Sequence, residues 1–285
     1  MQTAPPRSRL LRRLTALALL LVAGSAMGQT LRVMSFNVRL PVAADGPNRW
    51  EARRDLMVDT IRRASPDVIG TQELFKEQGD YIVGRLPRYA WFGQGRRGDR
   101  KEPDEHMGVF YRTDRFRVVE SGDFWLSDTP EVPGSISWGH PLPRMVTWAL
   151  FERKRGGQRV YLFDTHLPYR EEDGAARARG AALIAQRVAA LPAGIPVVVT
   201  GDFNDVPASE AHRLLADGLQ DAWANAPRRE GPAATFHDFT GTPDRRIDWV
   251  WSRGLEIRNV RTITQHRDGR YPSDHFPVLV DYRWP

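Results

Sequence analysis

Eight polar residues in this 285-residue chain stand at or beside the ends of short apolar runs. Asn37 follows Val33-Met-Ser-Phe36, Glu73 follows Val68-Ile-Gly-Thr-Gln72, and His166 comes just after Val160-Tyr-Leu-Phe163. Asp202 and Asn204 follow Val197-Val-Val-Thr200, Asp248 sits at the opening of Ile247-Asp-Trp-Val-Trp251, and Asp274 and His275 precede Pro277 to Asp281. Any one of them alone is explained by a turn or a helix cap. Together they form a set with a definite chemistry. Glu73 is a hard oxygen donor and Asn37 a neutral one; with waters they suit Mg²⁺, with Mn²⁺ able to substitute. His166 and His275 can donate to phosphate oxygens, and a cationic ring stabilises charge growing there. Asp202 can orient an attacking water or accept its proton, and Asn204 can hold the water or the phosphate. Asp248 or Asp274 can bond one histidine and fix its tautomer and charge. The sum is metal-assisted attack of water on a phosphate ester.

Other chemistries lack their parts. With no Cys, the chain has no disulfide frame, thiolate zinc site or cysteine nucleophile. No Ser-His-Asp order with a nucleophile elbow is present. Gly93-Gln-Gly95-Arg-Arg-Gly98 has neither the strand before nor the amphipathic helix after it that a phosphate loop needs, so it reads as a rim loop. Arg112 and Arg144 are candidates for substrate binding because a guanidinium fork fits phosphate, and His237 joins them from a rim loop beside Phe236. His106, His140, His212 and His266 have no motif context and are expected on the surface or as caps. Trp91, Trp125, Trp138 and Trp148 are expected to pack rather than stack bases. Arg96, Arg97, Arg100 and Lys101 are expected to form a solvated loop, since no aromatic interleaves them.

The elements that must position these residues alternate between short strands and helices, which predicts a layered α+β or α/β domain without internal repeats. Leu31 to Phe36 reads as a first strand. Met57, Ile61 and Ala64 lie at helical spacing on a segment ended by Ser65-Pro66. Asp67 to Gly70 reads as a short buried strand. His106 to Tyr111 and Phe116 to Phe124 are expected to pair about a Thr113-Asp114 turn, and Met145 to Glu152 with Arg159 to Asp164 about Gly156-Gly157. Ala181, Ile184, Ala185 and Val188 mark an amphipathic helix, and Pro196 to Thr200 a fully buried strand. Ile247 to Trp251, Glu256 to Thr264 and Pro277 to Asp281 complete the strands. The segments 40–49, 93–104, 127–143 and 224–244 read as loops on one rim.

Six motifs in this order carry a family resemblance: Phe36-Asn37, Gln72-Glu73, Thr165-His166-Leu167, Gly201-Asp202-Phe203-Asn204, Arg246-Ile247-Asp248 and Ser273-Asp274-His275-Phe276-Pro277. The chain resembles the endonuclease/exonuclease/phosphatase superfamily over Leu31 to Tyr282. Pro47-Asn-Arg-Trp50 and Arg270-Tyr-Pro-Ser-Asp274 resemble stretches of a bacterial exported branch. The resemblance implies a four-layer α/β/β/α sandwich of two mixed sheets. It implies that Asn37 and Glu73 hold Mg²⁺, that Asp202 orients or deprotonates the water, and that Asn204 helps position the phosphate. It gives phosphate binding to His166 and His275, pairs Asp248 with His275, and leaves Asp274 to support a metal or the histidine. Pro168 departs from the pattern, where a polar residue is expected after Thr165-His166-Leu167.

Residues 1–28 read as a secretory signal peptide. Arg7, Arg9, Arg12 and Arg13 precede the apolar run Leu14 to Ala23, and Ala26 and Gly28 offer a cleavage site. The run falls short of the roughly 20 residues that span a bilayer. The expectation is an exported protein, periplasmic or extracellular, whose domain is residues 29–285. The signal also explains most of the charge: the whole chain carries +6, but removing four arginines and no acids leaves about +2. Basicity therefore gives no argument for a nucleic-acid partner. The expected activity is hydrolysis of a phosphodiester or phosphomonoester by a monomer with no obligate protein partner. A secreted nuclease, a phospholipid or sphingomyelin head-group hydrolase, and a catalytically dead binding module on the same fold are the alternatives.

Overall fold

The computed structural model describes residues 30–98 and 103–285. The segment read as a signal peptide, and Arg100 and Lys101, lie outside them. One sheet has seven strands in the order β10-β12-β13-β1-β2-β4-β3, the other six in the order β5-β6-β7-β8-β11-β9. In the first, β1 is Thr30–Asn37, β2 Val68–Leu74, β3 Tyr89–Phe92, β4 His106–Arg112, β10 Arg229–Glu230, β12 Glu256–Thr262 and β13 Val278–Arg283. In the second, β5 is Phe116–Trp125, β6 Met145–Arg153, β7 Arg159–His166, β8 Val197–Asp202, β9 Gln220–Asp221 and β11 Asp248–Arg253. Helices α1 (Trp50–Ala64) and α2 (Lys76–Arg85) cover the outer face of the first sheet; α3 (Gly174–Ala189) and α4 (Glu210–Ala216) cover the second. A single turn of helix, α5 (Ala222–Asn225), follows β9. The result is the four-layer α/β/β/α sandwich.

Strand alternation builds the three apolar layers. On β1, Leu31 and Val33 enter the core between the sheets, while Met34 and Phe36 pack with Met57 and Ile61 of α1. On β8, Val198 joins the inter-sheet core, and Val197 and Val199 face α3 and α4. Both faces of β8 are buried, which is why its sequence is a continuous valine run rather than an alternation. Helix α1 stops where Ser65 turns left-handed (φ 47) before Pro66, whose ring disfavours a helical residue ahead of it.

One expected hairpin is absent. β4 and β5 flank the Thr113-Asp114 turn but belong to different sheets. Both edges of β4 are already occupied, by β2 on one side and β3 on the other. β5 therefore crosses to the second sheet, where it pairs with β6 and buries Phe116 edge-on against Phe151. The four-residue β3 and the helices α2 and α4 lacked a periodic signal long enough to be read from the sequence.

The short β10 runs parallel to β12 at the edge of the first sheet, and at the centre of each sheet lies a parallel pair, β1 with β2 and β7 with β8. The carboxyl ends of these four strands lie on the same rim as the amino ends of their antiparallel neighbours β13 and β11. All eight residues of the opening set fall on that rim.

Candidate active site

The site is the polar mouth of the inter-sheet core. Val160, Leu162, Asp164 and His166 lie at period two along β7, as do Val198, Thr200 and Asp202 on β8, and Asp248 and Val250 on β11. Leu31, Val33, Ser35 and Asn37 do the same on β1. Each series starts apolar in the core and ends polar at the rim. Beneath the rim, Asp164 Oδ1 accepts hydrogen bonds from Gln72 (2.7 Å) and Thr200 (2.7 Å), tying the two sheets together. Gly70 makes room for this contact: a Cβ there would lie 2.2 Å from Asp164 Oδ1. Gly201 is likewise demanded by space, since its Cβ would meet the Thr165 carbonyl at 2.7 Å.

Glu73 breaks the alternation. Val68 and Gln72 face the other sheet, so a regular β2 would aim Glu73 toward α1. A register shift between Thr71 and Leu74, with Glu73 at φ 59, turns it into the site. Asn204 (φ 49) and Arg39 (φ 56) are left-handed as well. Six other non-glycine residues among those described, Ser65 included, are left-handed too, so the conformation places these side chains without by itself marking a site.

Asp202 is the hub. Its Oδ2 accepts from Asn37 Nδ2 (2.9 Å) and lies 3.5 Å from His166 Nε2 and 3.8 Å from His275 Nε2. Its Oδ1 accepts from the Asn204 backbone N–H at 3.0 Å. Asn37 Nδ2 also donates to Glu73 Oε1 (3.0 Å). Two carboxylates thus converge on one amide N–H₂, while Asn37 Oδ1 accepts from Arg39 N–H at 2.9 Å. Glu73, His166 and Asp202 offer ligand atoms within 4.8 Å of one another. This set of hard oxygens with one imidazole fits a divalent metal.

The two histidines differ in charge. His275 Nδ1 lies 2.9 Å from Asp248 Oδ2. Burial opposes its charge, but Asp248, Asp202 and Asp274 together hold its pKa well above the ordinary histidine value, so it is cationic. His166 is pushed down to about 3 by burial and by Arg144, against the pull of Asp202 and Glu73, so it is neutral. Its Nδ1–H donates to Glu105 Oε1 at 3.2 Å as a hydrogen bond rather than an ion pair. Burial raises the pKa of Asp202, opposed by both histidines and assisted by Asp248, which makes it a stronger base than a surface aspartate.

Asp274 is buried at the edge of this group, with Ser273 Oγ donating to its Oδ1 (3.1 Å) and Arg39 Nη1 3.7 Å from its Oδ2. Asn204 Nδ2 donates to the Leu167 carbonyl (3.1 Å), fastening the loop after His166. Arg144 is buried beside Glu105, its Nη1 3.8 Å from Oε1. His237 stacks on Phe276 at 4.0 Å, with Gly241 N–H donating to its Nδ1. Burial and the charge of His275 lower its pKa to about 4.

Arg112 does not reach the site. It closes the far end of β4, where it forks onto Asp114 (2.7 and 2.6 Å) and contacts Ser65. β4 runs antiparallel to β2, so the end of β4 opposite His106 is also the end opposite Glu73. The expected solvated charge run needs correcting too. Arg96 is buried and pairs with Glu105 at 2.8 Å, and Arg97 pairs with Asp104 at 2.7 Å. Glu105 and Arg39 are the site residues that sequence reasoning missed. Glu105 immediately precedes β4 on the same rim, close to the placement of Asp248 on β11, but it was hidden in an acidic stretch. Arg39 lies two residues past Asn37 and had no motif context of its own.

The fold and this cluster define a class. The chain belongs to the endonuclease/exonuclease/phosphatase family, whose sequence model matches residues 34–275. It is a hydrolase of phosphate-ester bonds. A solved family protein from Bacteroides thetaiotaomicron is 31% identical with a TM-score of 0.84, covering 90% of this chain and 98% of that one. A mannosyl-6-phosphatase from the same organism is 31% identical with a TM-score of 0.82, covering 89% and 100%. Human nocturnin is 22% identical over 288 residues, 88% of this chain but 65% of nocturnin, so the chain spans less than two thirds of that relative.

Proposed function

We propose that this chain is an exported, Mg²⁺-dependent phosphomonoesterase acting on a small polar ester of the sugar-phosphate kind. Arg144 carries the reading. Its side chain is 3% exposed, and its Nε and Nη1 have no hydrogen-bond partner. A buried cation with idle donors is unfavourable unless an anion completes it. Glu105 is shared with Arg96 and His166, so a terminal phosphate beside His166 is the anion that fits. Arg96 has an idle Nε in the same corner. Two arginines side by side suit the double charge of a monoester better than the single charge of a diester. The similarity to a mannosyl-6-phosphatase supports the same substrate class.

Glu73 would hold the ion, and Asn37 would join it with its amide turned over, so that Oδ1, which accepts from Arg39 N–H, faces the carboxylates; the ion supplies positive charge to the phosphoryl oxygens when bound. Asp202 orients the attacking water and takes its proton. Cationic His275, held by Asp248, donates to a phosphate oxygen as charge grows there. Neutral His166 is fixed by Glu105 with its Nε2 toward the same point. Export rests on the composition of residues 1–28.

The test is phosphate release from mannose 6-phosphate and glucose 6-phosphate, set against cleavage of bis-p-nitrophenyl phosphate, plasmid DNA and sphingomyelin vesicles. The monoesters should be turned over best, and Arg144→Ala should lower kcat/KM for them by about 10²-fold. Preference for a diester, or an indifferent Arg144→Ala, would overturn the reading.

A further inference from the structure

Arg39 is held as though its position mattered. Its backbone is left-handed (φ 56), and its carbonyl accepts from two buried side chains, Arg53 Nη2 (2.7 Å) and Gln78 Nε2 (2.9 Å). The same Arg53 guanidinium donates to the Val38 carbonyl (2.6 Å) and the Pro272 carbonyl (2.9 Å). One buried arginine thus locks the end of β1 to the turn that leads into Asp274. The Arg39 side chain forks onto Asp45 at 3.1 and 2.8 Å, and this leaves Nη1 facing inward. Nη1 lies 3.7 Å from Asp274 Oδ2 and 4.0 Å from Glu73 Oε2.

Glu73 therefore has two sides. Oε1 meets the Asn37 amide on the side of Asp202 and His166, and Oε2 faces Arg39 and Asp274 while accepting from Leu40 N–H at 3.1 Å. A buried carboxylate and a partly buried one in the same corner repel and favour a cation between them. A divalent ion could meet that need. A guanidinium already does so, permanently charged and fixed by the fold.

We propose that Arg39 acts in place of a second metal ion, so that this chain binds a single divalent cation on the Asn37 side of Glu73 and leaves Asp274 outside metal coordination. This rests on the metal-dependent reading above. It assigns Asp274 an electrostatic and structural partner rather than a metal. It also gives a reason for the strained backbone at Arg39, which places the guanidinium where extended chain would not.

Mn²⁺ binding to the metal-stripped protein, followed by the electron paramagnetic resonance signal of free Mn²⁺, counts the sites without reference to activity. The wild type should take up one ion per chain. Arg39→Ala and Arg39→Gln should take up two, the glutamine variant keeping most of the side-chain stem should the alanine variant unfold. Arg39→Lys should stay at one, and Asp274→Asn should return the neutral variants from two to one. Two ions in the wild type, or one in a folded neutral variant, overturns the role of Arg39 while leaving metal dependence standing. No ion bound to the wild type overturns the metal-dependent reading and this inference with it.

Discussion

His275 Nδ1 lies 2.9 Å from Asp248 Oδ2, and both side chains are buried at the mouth of the inter-sheet core. This contact fixes the one cationic imidazole of the site. The pKa of His275 is raised, so its charge is complete below the ordinary histidine value and is lost only as pH rises through the higher folded value. The wild-type rate should therefore hold through neutrality and fall on the alkaline side. In Asp248→Asn that fall should move to lower pH, and kcat should drop by about 10²- to 10³-fold. Profiles of kcat and kcat/KM against pH read both; an unmoved alkaline limb contradicts the assignment.

Glu105 joins three partners, receiving His166 Nδ1–H and lying against Arg96 and Arg144. Glu105→Ala leaves buried cations uncompensated, which costs about 3–5 kcal/mol. Chemical denaturation should show that loss, and turnover should fall with it because His166 is released. Glu105→Gln, which can still accept from His166, should keep more activity than the alanine variant.

Asp164 lies beneath the site with no cation among the groups that set its pKa. Burial raises that pKa well above 3.8, against the hydrogen bonds from Thr200 and Gln72. An acid with a raised folded pKa binds more protons when native than when unfolded, so it subtracts stability progressively as pH climbs from 3.8. Asp164→Asn removes that slope. Urea unfolding should find the variant within about 1 kcal/mol of wild type in acid. It should be equal or more stable at neutral pH, where a large loss would show that Asp164 works as a carboxylate.

Asp221 shows the opposite sign. Burial raises its pKa, but His212 and Arg246 outweigh that and bring it to about 2. Arg246 bonds both its oxygens (3.0 and 2.7 Å) and His212 Nε2 lies 3.0 Å away. The stabilisation is complete above the model-peptide value of 3.8 and lost as pH falls toward 2. Asp221→Asn should cost about 3–5 kcal/mol near neutrality and flatten the acid limb of stability against pH. Both arginine and histidine here serve the fold, not the phosphate.

The layers and most of the site were legible in the sequence because strand period and rim position coincide. Val160 and Leu162 at alternate positions of β7, and the valine run of β8, lead directly to His166 and Asp202, so reading the strands located the polar cluster. Glu73 was found by its motif, although regular alternation would aim it away; only the left-handed turn at its own residue brings it in. Glu105 and Arg39 escaped because the contacts that tie them to the cluster, Glu105 with His166 and Arg39 with Glu73, span more than 30 positions, while their nearer partners Arg96 and Asp45 carry no motif. Arg112 misled because a strand has two ends, and residue type alone does not say which faces the substrate. The β4–β5 crossover was hidden for a similar reason: a tight turn predicts a hairpin unless both edges of the first strand are already taken.

The proposed metal dependence turns on Glu73, which faces the Asn37 amide on one side and Arg39 on the other. The decisive measurement is phosphate release from mannose 6-phosphate by metal-stripped protein titrated with Mg²⁺, for the wild type and for Glu73→Gln. The wild type should be inactive without the ion and recover fully on its addition. Glu73→Gln should stay at least about 10²-fold below wild type at saturating Mg²⁺. Undiminished turnover by the stripped wild type, or by Glu73→Gln, would contradict a metal-assisted phosphoesterase built on this site.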